Sequence, residues 1–229
     1  MSKRALFILT SHDRLGDTGR STGFYYEELA TPYWALADAG VAVDIASIAG
    51  GTAPHDPGSL GAPGTRPASV ERFVGDSAAM HKVRSTLAVE EVRAEDYDAI
   101  FLPGGHGTMW DLPTSTALAA LLGRAFDLGK VIGAVCHGPA GLVGAKRADG
   151  KPIVADLRVN AFTDAEERAV GLTQVVPFLL ESRLRQLGAR FECGGNFQCH
   201  AVRDGQLVTG QNPMSSAAVA AEMLAALGL

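Results

Sequence analysis

The chain has 229 residues, a length that suits one large domain or two small ones, a single α/β domain of this size being ordinary. Residues of the hydrophobic set make up 47% of it and charged residues 20%, which excludes wholesale disorder, and a formal charge of −5 offers no general basic surface to nucleic acid or anionic lipid. Three cysteines are too few for a disulfide scaffold and suit a reducing compartment, while 27 glycines point to many tight turns or close backbone approaches.

Lys3 and Arg4 precede an apolar run from Ala5 to Leu9 that is too short for the core of a secretory signal. No segment approaches the ~18 uninterrupted apolar residues of a membrane helix, so a soluble, cytoplasmic protein is expected. The Ala5–Leu9 run is continuous rather than alternating, as in a parallel strand covered on both faces. Asp13 to Thr22 reads as a loop. Tyr25 to Ala39 has a helical pattern that Pro32 should bend or divide, with Gly40 ending it. Val41–Ile45 is the next strand, which completes a βαβ signature. Gly50 to Ser69 carries five glycines and four prolines and reads as a surface excursion inside one domain spanning 1–229 rather than a boundary.

Val70 to Leu87 reads as a weak helix and Tyr97–Leu102 as a strand broken by Pro103-Gly104-Gly105. Thr114–Leu128 is a helix closed near Gly129, followed by the strand Val131–Val135 and a short helix from Ala140 to Val143. One or two short strands are expected within Val154–Ala161, and an amphipathic helix over Gln174–Gly188. Asp204-Gly205 marks a hairpin between Ala201–Arg203 and Leu207–Thr209, and Ser215–Leu227 is a closing helix.

The strongest chemical signal is Val131-Ile-Gly-Ala-Val-Cys-His-Gly-Pro-Ala-Gly-Leu142. A buried strand meets a Gly/Pro-rich turn, and the residue at the junction is Cys136. That is the plan of a nucleophile elbow, in which the amides and dipole of the following helix would favour a thiolate. His137 is placed to orient the sulfur or accept its proton. Cys193 and Cys199 lack such a setting and read as packing residues. His106 and His200 match no zinc spacing with the cysteines. Pro103-Gly-Gly-His-Gly-Thr108 lies at the preceding strand end, where glycine amides can approach a substrate as an oxyanion hole requires. Neither a Walker A motif nor a dinucleotide fingerprint is present.

These segments carry a resemblance. Together with Thr22-Gly-Phe-Tyr-Tyr-Glu-Glu-Leu-Ala-Thr-Pro32, Ile100–Pro113, Ala161-Phe-Thr-Asp-Ala-Glu-Glu167 and Leu207-Val-Thr-Gly-Gln-Asn-Pro213, the chain resembles the ThiJ/PfpI superfamily over nearly its whole length. Within it, the chain is similar to the branch of glyoxalase III and stress-chaperone proteins. The resemblance implies a class I glutamine amidotransferase-like, flavodoxin-like α/β fold, a three-layer sandwich around a mainly parallel sheet. It implies Cys136 as nucleophile, His137 as its catalytic neighbour and Glu28 as the acid that shuttles protons at the sulfur, with Glu27 as the alternative register. Glu167 would be the histidine-orienting acid, with Asp164 and Glu166 as competitors and Asp164 a possible helix N-cap. Gly105 would give the oxyanion amide, and His106, Trp110 and Gly138 would line the pocket.

The implied activity is cofactor-independent, glutathione-independent conversion of methylglyoxal-type 2-oxoaldehydes to 2-hydroxy acids such as lactate, with deglycation of aldehyde adducts as a related one. A small aldehyde is the expected partner and a homodimer the expected assembly, with no metal, because the two-histidine, one-carboxylate site of some relatives does not map onto His55 or His81. A cysteine peptidase or amidase, or a holdase chaperone or thiol sensor, are the other readings. A true glutamine amidotransferase fits less well, since the distant His200 is followed by Ala201, Val202 and Arg203.

Overall fold

The computed structural model describes residues 3–229. Strand β1 (Arg4–Leu9) leads to helix α1 (Tyr26–Asp38) and β2 (Ala42–Ser47), then to three short helices, α2 (Pro57–Leu60), α3 (Ala68–Gly75) and α4 (Ser77–Arg84). Next come β3 (Leu87–Ala88), β4 (Ala99–Leu102), α5 (Thr108–Asp111), α6 (Thr116–Asp127) and β5 (Val131–Val135). The chain continues through β6 (Arg158–Val159), α7 (Asp164–Ala169), α8 (Leu180–Gln186) and β7 (Arg190–Phe191), and closes with β8 (Ala201–Asp204), β9 (Leu207–Gly210) and α9 (Ser216–Leu227).

Seven strands form one sheet in the order β3-β2-β1-β4-β5-β9-β8, and β6 pairs separately with β7. All neighbours in the large sheet are parallel except the hairpin β8–β9. The pleat divides the core. Leu6 and Ile8 of β1 pack with Ile100, Leu102 and Ile132 against α6 and α8, while Ala5, Phe7 and Leu9 pack with Phe101 and Val135 against α1, α3 and α9. Apolar residues on both faces of each central strand explain the continuous runs, and the result is the expected three-layer α/β sandwich.

Several boundaries differ from the sequence reading. Helix α1 runs through Pro32 undivided; Pro32 has no N–H, so the carbonyl of Glu28 loses its helical donor, and packing of Leu29, Leu36 and buried Pro32 itself holds the helix together. The weak helix over 70–87 is two helices. Asp76 sits between them with extended backbone, and its carboxylate accepts from the amides of Ala78 and Ala79 at 2.9 Å, starting α4 afresh. The helix expected over 174–188 is confined to α8. Pro177 disfavours helical backbone at Val176 and leaves turns up to Leu179. The Ala140–Val143 helix is a 3-10 turn over Gly138–Leu142. In the hairpin, Asp204 pairs with Leu207, so Gly205 and Gln206 form the two-residue loop, Gly205 at φ +60°. The Gly/Pro-rich excursion folds back on the body: His55 bridges Phe24, and Asp56 and Gly58 reach the cavity described next.

Candidate active site

Strand β5 ends in the sheet centre, and Cys136 follows it with φ +59°, a left-handed conformation that non-glycine residues rarely adopt. Neighbouring backbone holds it there. The Cys136 amide donates to the Gly210 carbonyl at 2.9 Å, and its carbonyl accepts from the Phe162 amide at 2.8 Å. The chain then turns sharply through Gly138, where a Cβ would fall onto the carbonyl oxygen of Leu102. Gly138 is therefore a packing requirement of the elbow and not part of the cavity lining. With only backbone in its way, Gly138→Ala is expected to cost about 3 kcal/mol, read as a drop in urea midpoint at unchanged slope.

His137 and Glu28 flank the sulfur, and Glu167 and His106 stand behind His137. Cys136 Sγ lies 3.4 Å from His137 Nδ1, and His137 Nε2 lies 2.7 Å from Glu167 Oε2. The other Glu167 oxygen is 3.0 Å from His106 Nε2. Burial alone would push Glu167 up, but its hydrogen bonds to His106 and then His137 outweigh that and hold it down at about 2. Glu167 is thus ionised and acceptor-only, so both histidines donate through Nε2, and neutral His137 presents Nδ1 as an acceptor to the thiol. Burial, and next the neighbouring His106, keep His137 down at about 4.

On the other side of the sulfur stands Glu28, fully buried in the first turn of α1. Its Oε2 accepts from the Gly104 amide at 2.7 Å. Its Oε1 has no hydrogen-bond partner among the described residues, and the carboxyl is close enough to the Cys136 thiol for each to shift the other's ionisation. Burial pushes Glu28 up to about 8. Glu27 is half-exposed, so the register picks Glu28.

The thiolate expectation needs correction. Burial first, and then the Glu28 charge, push the Cys136 thiol well above its ordinary value. The element after the elbow is a five-residue 3-10 turn, too short to supply the dipole of a long helix, and the His137 amide is the donor that favours the charged sulfur. The resting sulfur therefore keeps its proton, with the Glu28 carboxyl and His137 Nδ1 as the groups beside it.

Cys136, His137, Glu28, Gly105 and His106 line one cavity of about 410 Å³ with Tyr25, Phe162 and Phe197. Gly105 has φ +101°, and its N–H donates to no protein acceptor among the described residues. Trp110 does not line this cavity; it stacks on His12 at 5.0 Å and faces clefts outside. Asp164 accepts from Ser182 Oγ and Ser182 N, away from the histidines. Nor is it the N-cap. Thr163 caps α7 in a capping box with Glu166, a signal legible in Thr163-Asp-Ala-Glu166. Cys193 and Cys199 are exposed rather than packed, because the segment joining β7 to β8 runs over the surface. His106, His137 and Glu167 are the group of possible metal ligands among the described residues, their donor atoms within 4.8 Å of one another. Each Nε2 takes a different carboxylate oxygen, an arrangement satisfied by hydrogen bonding alone.

The sequence profile of the DJ-1/PfpI family matches residues 21–226. The chain belongs to this family. It is 29% identical over 98% of its length to the glutathione-independent glyoxalase HSP31 of Saccharomyces cerevisiae, 98% of which is covered. The crystal structure of glyoxalase III from Candida albicans superposes with a TM-score of 0.90 at 28% identity, covering 98% of this chain and 97% of that one. The Rapid Encystment Protein of 24 kDa from Francisella tularensis superposes with a TM-score of 0.94 at 35% identity, covering 98% and 99%. No helix of the described residues is long and apolar enough to cross a membrane.

Proposed function

We propose that this protein converts a 2-oxoaldehyde of the methylglyoxal type to the corresponding 2-hydroxy acid without glutathione, its own Cys136 supplying the thiol. The observation that carries this reading is the Glu28 carboxyl, buried against the sulfur and pushed up to about 8, in addition to a His137–Glu167 pair. Acyl transfer needs only a thiol, a base and an orienting acid. A second buried carboxyl at the sulfur suits proton transfer at the carbon bonded to it.

As Sγ adds to the aldehyde carbon, the thiol proton passes to ionised Glu28, and the carbonyl electron pair moves onto oxygen near the Gly105 N–H. Glu28 returns the proton to that oxygen, giving a hemithioacetal. Ionised again, Glu28 removes the proton from the sulfur-bearing carbon and delivers it to the adjacent carbon, through an enediol. His137 Nδ1 carries the hydroxyl proton from the first oxygen to the second. The product is a thioester of the 2-hydroxy acid. Water attacks it as His137 takes a proton, and the departing sulfur recovers that proton from His137. In the same reading, the unpaired Cys193 and Cys199 suit the reducing cytoplasm.

With methylglyoxal and no added thiol, the protein is expected to release lactate in step with aldehyde loss. Aldehyde loss without lactate, or no loss at all, would sink the reading.

A further inference from the structure

The chemistry above needs only the floor of the cavity around Cys136, yet the cavity holds about 410 Å³. That is the scale of pockets for ligands far larger than a three-carbon dicarbonyl. Val170, Leu172, Phe197 and Met214 give the cavity an apolar wall alongside Phe162, while Arg20 and Asp56 also line it. Val170, Phe197 and Met214 are 42%, 41% and 54% exposed. Large apolar side chains left this exposed are scattered singly elsewhere on the described surface, at Leu87, Leu128 and Leu229; here three converge on one cavity.

The wall is also held in place at a cost. Phe197 has φ +56°, which is strained for a bulky residue. Its amide donates to Glu166 Oε1 at 2.7 Å. The buried Glu166 carboxylate also accepts from the Thr163 amide and hydroxyl, from Gln211 Nε2 and from Asn212 Nδ2. Gln211 Oε1 in turn accepts from the Gly194 amide at 2.8 Å, and Asn212 Nδ2 donates to the Gln198 carbonyl at 2.8 Å. Buried polar groups thus clamp the segment on both sides of Phe197. The ring stands 6.2 Å from Phe162, which stands 4.5 Å from His137.

We propose that Phe197, Met214, Val170 and Leu172 form a subsite for the substituent R of R–CO–CHO, and that the preferred substrates carry an aryl or branched alkyl group in place of methyl. This rests on the glyoxalase reading of the same site and deepens it. In an apolar pocket a single methylene already discriminates by about tenfold or more.

The test compares kcat/KM for phenylglyoxal and methylglyoxal in the wild type, Phe197→Gly and Met214→Ser. Glycine relieves the Phe197 backbone, and Met214 is exposed, so neither variant threatens folding. The wild type is expected to favour phenylglyoxal at least tenfold, and each variant to lower that ratio about tenfold. A wild-type ratio at or below one, or equal losses for both aldehydes, would overturn the subsite. Calorimetric binding of mandelate and lactate to the same three proteins separates the two ideas. If neither aldehyde is turned over, the glyoxalase reading fails, and the subsite is then judged by binding alone. Mandelate bound at least tenfold tighter than lactate, with the advantage lost in Phe197→Gly, supports it; equal binding overturns it.

Discussion

Glu28→Gln is expected to lose about 10³-fold in kcat/KM for methylglyoxal and yet to outlast the wild type in urea at alkaline pH. Both effects have one source. Burial raises Glu28 from its ordinary 4.5 to about 8. Between those values the folded chain holds a proton that the unfolded chain has released, so wild-type stability is fully present below about pH 4.5 and falls as pH rises to about 8. The full span is worth on the order of 5 kcal/mol. Glutamine is neutral throughout, and its carbonyl keeps the Gly104 amide. The two proteins should therefore have similar urea midpoints at pH 4.5, and the variant should be ahead by several kcal/mol at pH 8.5. A gap of the same size at both pH values would mean that Glu28 ionisation does not limit stability.

The same ionisation shapes the rate. In the proposed mechanism the carboxylate form takes the thiol proton, so wild-type kcat/KM should climb as pH rises toward 8, with the limb belonging to the Cys136–Glu28 pair rather than to either group alone. His137, near 4, and Glu167, near 2, finish titrating well below that limb. A profile flat between pH 6 and 8 would contradict the role given to Glu28.

Much of this site is legible in the sequence because its parts are local. Ala5–Leu9, Ile100–Leu102 and Val131–Val135 announce buried parallel strands by unbroken apolarity, and a strand running into Cys136-His137-Gly138-Pro139 announces the elbow. Glu28 and Glu167 follow from resemblance, since nothing in a helical repeat says that a carboxyl at one position will be buried against a sulfur more than a hundred residues away. What the sequence hides depends on distant packing or on burial. Glu167 shared between His106 and His137 joins three segments. Phe197 and Met214 look like ordinary surface residues until the fold brings them over the same cavity. The thiolate expectation failed because a strand-turn-helix pattern carries no information on how much water reaches the sulfur. It equally gives no sign that the helix shrinks to one 3-10 turn.

The second large effect lies in the elbow itself. Cys136→Ala and Cys136→Gly should each lose on the order of 10⁵ in turnover, because the proposed mechanism routes every turnover through a covalent adduct on this sulfur. The two differ in stability. At φ +59° a Cβ crowds the backbone at a cost of about 1–2 kcal/mol, which alanine still bears and glycine does not. Glycine gives back part of that through a freer unfolded chain, leaving the glycine variant ahead by about 1 kcal/mol. Urea midpoints of the two variants isolate this difference, since both lack the sulfur and face the same Glu28. An alanine variant as stable as the glycine variant would show that the elbow is unstrained. Turnover surviving in either at more than about one part in a hundred would remove Cys136 from the chemistry. If the glycine variant is the more stable, the chain carries the strain at residue 136 because only a side chain on this turn stands between Glu28 and His137 with its sulfur open to the cavity.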